Sequence, residues 1–526
     1  MPMPAGEKNT VLKDRRKVAL KFALAYPSPY SMGMSNLAVR LLYELINNRD
    51  DCLCERFFFT EYGQAPKSIE SGMALDRFDV IGFSVQHEMD YTRMLDMILS
   101  SRIPLSASTR RHPIIIAGGP SPTSNPIPLA NFVDFFVIGE VEPIVEQLLD
   151  ALSACAVGKG SRENVKAIPG IFRAGAPAKR VYAENLDCAY HSVRQVHPVS
   201  GGGFSSTFLL EVSRGCSRGC RFCMECFVYR PRRERSLNAI AGILEEGLSC
   251  SGLSRVTCIS SAFFDHSGLP DILSLMKSRG LRFSLPSIRI TDFDDRLPSL
   301  LVSGGQKTLT IAPETPSERL RDVISKRFTN DQVFNILSKA KEAGMNSVKL
   351  YFMLGIPSET DRDIADLTPL LEKVISAGFK PGSIHISVNP MIPKSNTPFQ
   401  WASMIAEGEY RSRLALFRRL CSALEVRRIE GMDYRWGAIQ AYLSTGGSDA
   451  SEALMRMASD IKGGGRGDLG SWRRVLKSLG KDIGAAYTAK PADAVLPWEI
   501  IKGPTPKSVL LHEFEKAIGE SYGRHL

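Results

Sequence analysis

Four times in its first 150 or so residues the chain passes from a short apolar run to an amphipathic stretch. "KVALKFALAYP" reads as a strand, and "SNLAVRLLYELINN" as a helix with apolar residues at helical spacing. "FDVIGFSVQ" is a strand and "DYTRMLDMILSS" a helix. "HPIIIAGGPSP" is a strand ending in a Gly-Gly-Pro turn, and "VDFFVIGEVEPIVEQLLDAL" a strand, a glycine turn and a helix. Such alternation predicts a doubly wound, Rossmann-like parallel α/β sheet over residues 18–155. Ligands of such sheets bind beyond the carboxyl ends of the strands. Residues 156–204 read as a connector rich in Gly, Ala and Ser. Six more strands follow over 205–404: "TFLLEVSRG", "RVTCISSAF", "LRFSLPSIRI", "QKTLTIAPET", "SVKLYFMLGIP" and "SIHISVNPMIPK". With helices between several of them they predict a partial (β/α)6 TIM-type barrel, whose site belongs at the C-terminal strand ends. Residues 405–526 read as mainly helical.

At 526 residues the chain is long enough for two to four domains, and at 44% hydrophobic and 23% charged its composition is globular. No apolar run has the ~18–20 residues of a membrane span. The N-terminal apolar run is interrupted by Lys21 and leads into "YPSPY", so it reads as a buried strand rather than a signal peptide. The expected location is cytoplasmic, where disulfides are rare and clustered cysteines bind metal or do redox work. The net charge of +10 concentrates at "RPRRER" (230–235) and at 461–481. Solvated faces are the first reading of such runs; a patch for nucleic acid or an acidic protein is the alternative.

Four of the eleven cysteines fall in "SRGCSRGCRFCMECF", residues 213–227. Cys216, Cys220 and Cys223 form CxxxCxxC after a predicted barrel strand. Zinc sites favour paired knuckles, and no second pair follows at that spacing. Three thiolates on one loop suit a [4Fe–4S] cluster with one iron left over. Cys226 lies outside the triplet and reads as a spare fourth ligand, a substrate-side thiol or a small packed residue.

"CSRGCRFC" at the end of the first barrel strand resembles the radical S-adenosylmethionine (radical SAM) superfamily. "LPSIRI", "GGQKTLTIAPETPSERLRDVISK" and "KLYFMLGIPSETDRD" resemble later barrel strands of a subset of it. The resemblance implies that S-adenosylmethionine chelates the open iron and is cleaved to a 5′-deoxyadenosyl radical. It implies Glu314 and Arg289 for the ribose and carboxylate of S-adenosylmethionine, with Arg321 as a further residue binding it. Ser260 and Ser261 stand where relatives carry a glycine-rich segment that binds the amino group. Tyr351 and Tyr229 are weak candidates for the pocket beside the radical.

The first 150 residues resemble the cobalamin-binding domain that precedes many radical SAM barrels. The resemblance points to Pro27, Met32, Gly33 and Met34, then Ser84 and Gln86, then Gly118, Gly119 and Pro120, then Gly139 and Glu140. Gly118, Gly119 and Gly139 would let the backbone approach a planar ring, and Ser121 and Thr123 could bond its amide arms. The Asp-x-His-x-x-Gly segment that ligates cobalt is absent, so the corrin should be His-off; His87 reads as a loop residue. The family implied is that of cobalamin-dependent (class B) radical SAM methylases, which methylate unactivated sp3 carbons by way of methylcobalamin. Overall likeness is to the methanogen branch that methylates a glutamine of methyl-coenzyme M reductase. The expected partners are then the alpha subunit of that reductase and a low-potential electron donor. A tRNA-modifying enzyme is the runner-up, although methylthiolation would need a second three-cysteine cluster. A non-catalytic cobalamin or redox sensor is a third reading. Nucleic acid is permitted by the basic stretches but not favoured, and no membrane partner is expected.

Overall fold

The computed structural model describes residues 6–199, 203–285, 290, 296–484 and 488–522. Its first sheet contains β1 (Leu20–Tyr26), β2 (Cys52–Phe58), β3 (Val80–Ser84), β4 (Ile114–Gly118), β5 (Phe135–Val137) and β6 (Ile171–Phe172). They lie in the order 2-1-3-4-5-6, parallel except for β6. β1 runs "LKFALAY" with every residue but Lys21 buried, as expected of a strand covered on both faces. Helix α1 (Leu37–Asn47) starts where the Asn36 side chain accepts a hydrogen bond from the Ala38 amide. Helices α2 (Asp90–Ser100) and α3 (Val145–Ala156) complete the covering layers. In this order the winding reverses between β1 and β3, which opens a crevice at the strand ends.

Two strands escape the sequence pattern. β2 carries Glu55 and Arg56 mid-run, which interrupts its apolar signal, yet both are buried. Arg15 pairs with Glu55 at 2.9 Å, while Arg56 pairs with Glu70 at 2.7 Å and Glu7 at 2.5 Å. β6 is two residues long and lies in the stretch expected as connector.

The second unit has two parallel arcs. One is β7 (Phe208–Glu211), β8 (Arg255–Ile259) and β9 (Arg282–Ser284). The other is β10 (Thr308–Glu314), β11 (Ser347–Leu354), β12 (Ile384–Pro390) and β13 (Arg428–Glu430). All six expected strands are present, and β13 extends the second arc beyond them. Helices such as α4 (Leu237–Ser251), α5 (Leu269–Ser278), α6 (Asn330–Glu342) and α7 (Leu367–Ser376) separate the strands.

The C-terminal segment is helical, with α8 (Glu407–Ala423), α9 (Tyr434–Ser444), α10 (Ser448–Lys462), α11 (Leu469–Ser478) and α12 (Lys507–Tyr522). It joins the two units. α10 packs on α2 of the first sheet, Ile501–Lys502 pairs in parallel with Ala178–Lys179, and α12 lies against the cysteine loop. Among the described residues no helix is long and apolar enough to cross a membrane.

A buried ion pair holds the units together. Lys394, after β12, reaches Glu88, after β3, at 2.6 Å, and Gln440 of α9 donates to the same carboxylate at 3.1 Å. Burial disfavours the Glu88 anion, but Lys394 and His87 outweigh it and lower its pKa from 4.5 to about 2. Glu88→Ala leaves the half-buried Lys394 ammonium without its carboxylate, with an expected loss of about 1–3 kcal/mol. Urea unfolding should show this as a lower midpoint. Because the folded pKa is depressed, the wild type's advantage should be full above about pH 4.5 and vanish as pH falls through about 2.

Candidate active site

Loop 215–224 follows β7 and a short ribbon in which Ser213–Arg214 pairs with Arg233–Glu234. Cys216 and Cys220 are buried and Cys223 is half-buried. The three line a cavity of about 510 Å³ with Ser260 and Ser261 after β8 and Glu314 at the end of β10. The site therefore sits at the C-terminal strand ends. Its loop is anchored from behind. Arg221, between the cysteines, donates to the carbonyls of Asp322 (3.2 Å) and Val323 (2.9 Å) and to Glu513 of α12 (3.0 Å).

Around the rim, Ser260 Oγ bonds Ser213 Oγ at 2.5 Å and so ties β8 to the cysteine ribbon. Ser261 donates to Glu225 at 2.6 Å. Glu314 ends β10 where the register shifts and adopts φ 66°, a left-handed conformation unusual for glutamate. Its carboxylate pairs with Lys326 at 2.8 Å. Lys326 also faces the cavity and was not foreseen; its only sequence signal is one of two adjacent cations in "VISKRF".

Two predicted residues do not join this cavity. Arg321 is fully buried and donates to the carbonyls of Thr315, Phe328 and Pro316, with its guanidinium 4.4 Å from the Phe328 ring centre. It braces the loop after β10 from inside. Tyr351 lies beside Lys349, whose ammonium is 5.1 Å from its ring centre. Arg289 lies outside the described residues.

A second cavity, about 450 Å³ and mostly apolar, runs along one face of the first sheet. Its wall includes seven of the predicted residues: Ser84, Gln86, Gly118, Gly119, Pro120, Gly139 and Glu140. Tyr229 lines it too, with burial raising its pKa. Gln86 Nε2 donates to Ser84 Oγ at 3.0 Å. Pro27, Met32, Gly33 and Met34 do not line it. Met32 points to solvent, Gly33 packs on the Phe58 ring, and Met34 is wholly buried with its sulfur 3.2 Å from an Arg56 nitrogen. Asn36, Ala38 and Leu41, at the start of α1, take their place. The signal was present as the apolar stripe of α1, which also suits ordinary core packing.

The two glycines with positive φ have an internal reason. Gly119 (φ 112°) and Gly139 (φ 107°) press against the backbones of Val85 and Val181, where a Cβ would collide. Ser121 bonds Tyr91 at 2.7 Å, and Thr123 accepts from the Gly139 amide at 3.1 Å, so both hydroxyls are engaged within the fold. His87 does not line the cavity; its Nε2 meets Gln440 Nε2 at 2.6 Å.

The run "RPRRER" backs this wall through Arg233 on Glu140 instead of forming an open basic face. Arg233 forks onto Glu140 at 2.7 and 2.9 Å, with Arg214 at 2.8 Å and Arg180 at 3.2 Å on the same carboxylate. Burial opposes the Glu140 anion, but Arg233 and Arg214 outweigh it and hold the carboxyl below its ordinary range. Arg235 donates to Glu211 and backbone carbonyls. The other basic stretch does face outward, at Lys462, Arg466, Arg473 and Lys477.

Glu225 borders both cavities. Burial raises its carboxyl pKa despite the hydrogen bond from Ser261. It was missed from the sequence, where it appears as one charge inside the apolar "CMECF".

The radical SAM superfamily matches residues 210–371, and radical SAM proteins, N-terminal, match 38–172. The uncharacterised protein MJ0966 of Methanocaldococcus jannaschii is 33% identical over 386 residues, 73% of this chain and 80% of that protein. The chain belongs to the radical SAM superfamily. Among solved structures, radical SAM methyltransferase TsrM from Kitasatospora setae, with cobalamin and a [4Fe–4S] cluster bound, aligns with TM-score 0.54 at 14% identity. The alignment covers 84% of this chain and 99% of TsrM. The cobalamin-dependent radical SAM enzyme OxsB, with aqua-cobalamin bound, aligns with TM-score 0.52 at 13% identity over 96% of this chain and 80% of OxsB. At these identities the likeness is one of fold. The sheet–barrel order of this radical SAM chain is thus shared with both.

The donor set of the first cavity fits an iron–sulfur cluster. Its three thiols stand on one loop in the wall of a single cavity. Among the described residues no three His, Cys, Asp or Glu side chains are set to hold a single ion. The second cavity is mostly apolar and has Ser84, Gln86 and Glu140 among its polar residues, as a large, partly apolar cofactor requires.

Proposed function

We propose that this chain is a cobalamin-dependent radical SAM methyltransferase acting on an unactivated sp3 carbon, with a glutamine of methyl-coenzyme M reductase as the substrate of choice. One observation carries the reading: a cavity lined by the CxxxCxxC thiols and a mostly apolar cavity on the first sheet adjoin, and Glu225 borders both. TsrM and OxsB are described with cobalamin, and TsrM with a cluster. When bound, the cluster with S-adenosylmethionine supplies a carbon radical and cobalamin supplies the methyl group.

The chain's residues do the rest. Cys216, Cys220 and Cys223 hold the cluster. Glu314, set by its strained backbone and Lys326, accepts from ribose hydroxyls. Ser260 and Ser261 border the amino end. Ser84, Gln86 and the 118–120 turn meet the corrin rim, while Leu24, Ile116 and Leu149 keep water from the sheet face. α12 shields the cluster loop, and a low-potential donor must reach the cluster from outside.

The test is anaerobic purification, reconstitution with iron and sulfide, addition of hydroxocobalamin, and incubation with S-adenosylmethionine and a glutamine-containing reductase peptide. Equal yields of 5′-deoxyadenosine, S-adenosylhomocysteine and methylated peptide are expected. Cluster without retained corrin would sink the methyl-transfer reading. Corrin and cofactor cleavage with no peptide methylation would sink only the glutamine substrate. Glu314→Gln should weaken S-adenosylmethionine binding about tenfold, about 1.4 kcal/mol, with iron content unchanged, as equilibrium dialysis would show.

A further inference from the structure

Cys226 is placed differently from the chain's other buried cysteines outside the triplet. Cys52, Cys54, Cys258 and Cys421 are buried and line neither cavity. Cys226 is only 2% exposed, yet it lines the cavity of the three cluster thiols and packs in the same group with them. The placement is built. Cys226 sits on a single helical turn, Glu225–Val228, three residues after Cys223, and its amide donates to the Cys223 carbonyl at 3.2 Å. That spacing puts both side chains on one side of the turn. The turn is tied down at both ends. Ser261 bonds Glu225 at 2.6 Å, and Thr505, just before α12, donates to the Phe227 carbonyl at 3.0 Å.

A [4Fe–4S] cluster is complete with four thiolates. We propose that Cys226 is a fourth, displaceable thiolate of the cluster site, ligating the remaining iron while no small molecule occupies it and withdrawing when one binds. This rests on the reading that Cys216, Cys220 and Cys223 hold such a cluster. Ligation forms one Fe–S bond and releases the thiol proton to water. Withdrawal breaks that bond and takes a proton back, and no electron is transferred in either direction. The device would protect an otherwise open iron between turnovers.

The experiment compares reconstituted wild type with Cys226→Ala and with the nearly isosteric Cys226→Ser, which preserves packing. Iron and sulfide are counted first. Each protein is then oxidised with ferricyanide, or reduced and examined by EPR, with and without S-adenosylmethionine. All three should bind a four-iron cluster. Without S-adenosylmethionine, both variants should lose the fourth iron several-fold faster than wild type, giving a three-iron signal, and their reduced spectra should differ from wild type. With S-adenosylmethionine the differences should disappear. Equal iron loss and identical spectra overturn the inference alone. A variant that is folded by circular dichroism but holds no cluster also overturns it, because an obligate ligand is not displaceable. Absence of iron from all three overturns the cluster reading and this inference together.

Discussion

Cys220→Ala is expected to hold almost no iron after reconstitution and to form 5′-deoxyadenosine at least about a thousandfold more slowly than wild type, about 4 kcal/mol of barrier. Cys220 is buried at the centre of the three-thiol loop, so no solvent-borne ligand can readily replace it. The loop itself should persist. The Arg221 amide donates to the Ile324 carbonyl at 3.0 Å, its own carbonyl accepts from Phe399 at 3.2 Å, and its side chain reaches Glu513 of α12. Circular dichroism and the urea midpoint should therefore stay near wild type while iron disappears. An iron-replete Cys220→Ala protein would remove the cluster from this loop and, with it, the proposed chemistry.

Ala38→Trp should separate the two halves of the reaction. Ala38 is half-buried on the first turn of α1 and borders the apolar cavity, opposite α3. A tryptophan there fills the space assigned to the corrin. Bound corrin after desalting should fall about tenfold or more, about 1.4 kcal/mol. Iron content and S-adenosylmethionine cleavage should survive, because Ala38 does not border the cysteine cavity. Product analysis should find 5′-deoxyadenosine without matching S-adenosylhomocysteine. Unchanged corrin retention would mean that the cofactor lies elsewhere, or that the sheet carries none.

Legibility followed the range of the interactions. β1, β3 and β4 announce themselves because each buries a near-contiguous run, and the long barrel strands β10 and β11 because buried positions alternate along them. β2 did not, because its Glu55 and Arg56 are neutralised by Arg15, Glu7 and Glu70, partners brought to it by folding. "RPRRER" misled for the same reason. Its charges read as exposed until Glu140 and Glu211, from other segments, turn them inward. Met32 and Met34 were nominated by position after a strand, but the turn there aims one at water and buries the other beside Arg56.

What the sequence by itself determined was the order of the two α/β units and the cluster triplet. Both are local: an apolar period of one element, and three cysteines whose separation along one loop is already the separation chemistry needs. Only the tertiary structure decided that the two cavities adjoin and that Glu225 stands between them. Each depends on side chains converging from strands and helices far apart in the chain, and on burial that decides which charges are paired. No local pattern encodes that convergence, because the same residues at the same spacing would serve equally as surface or core.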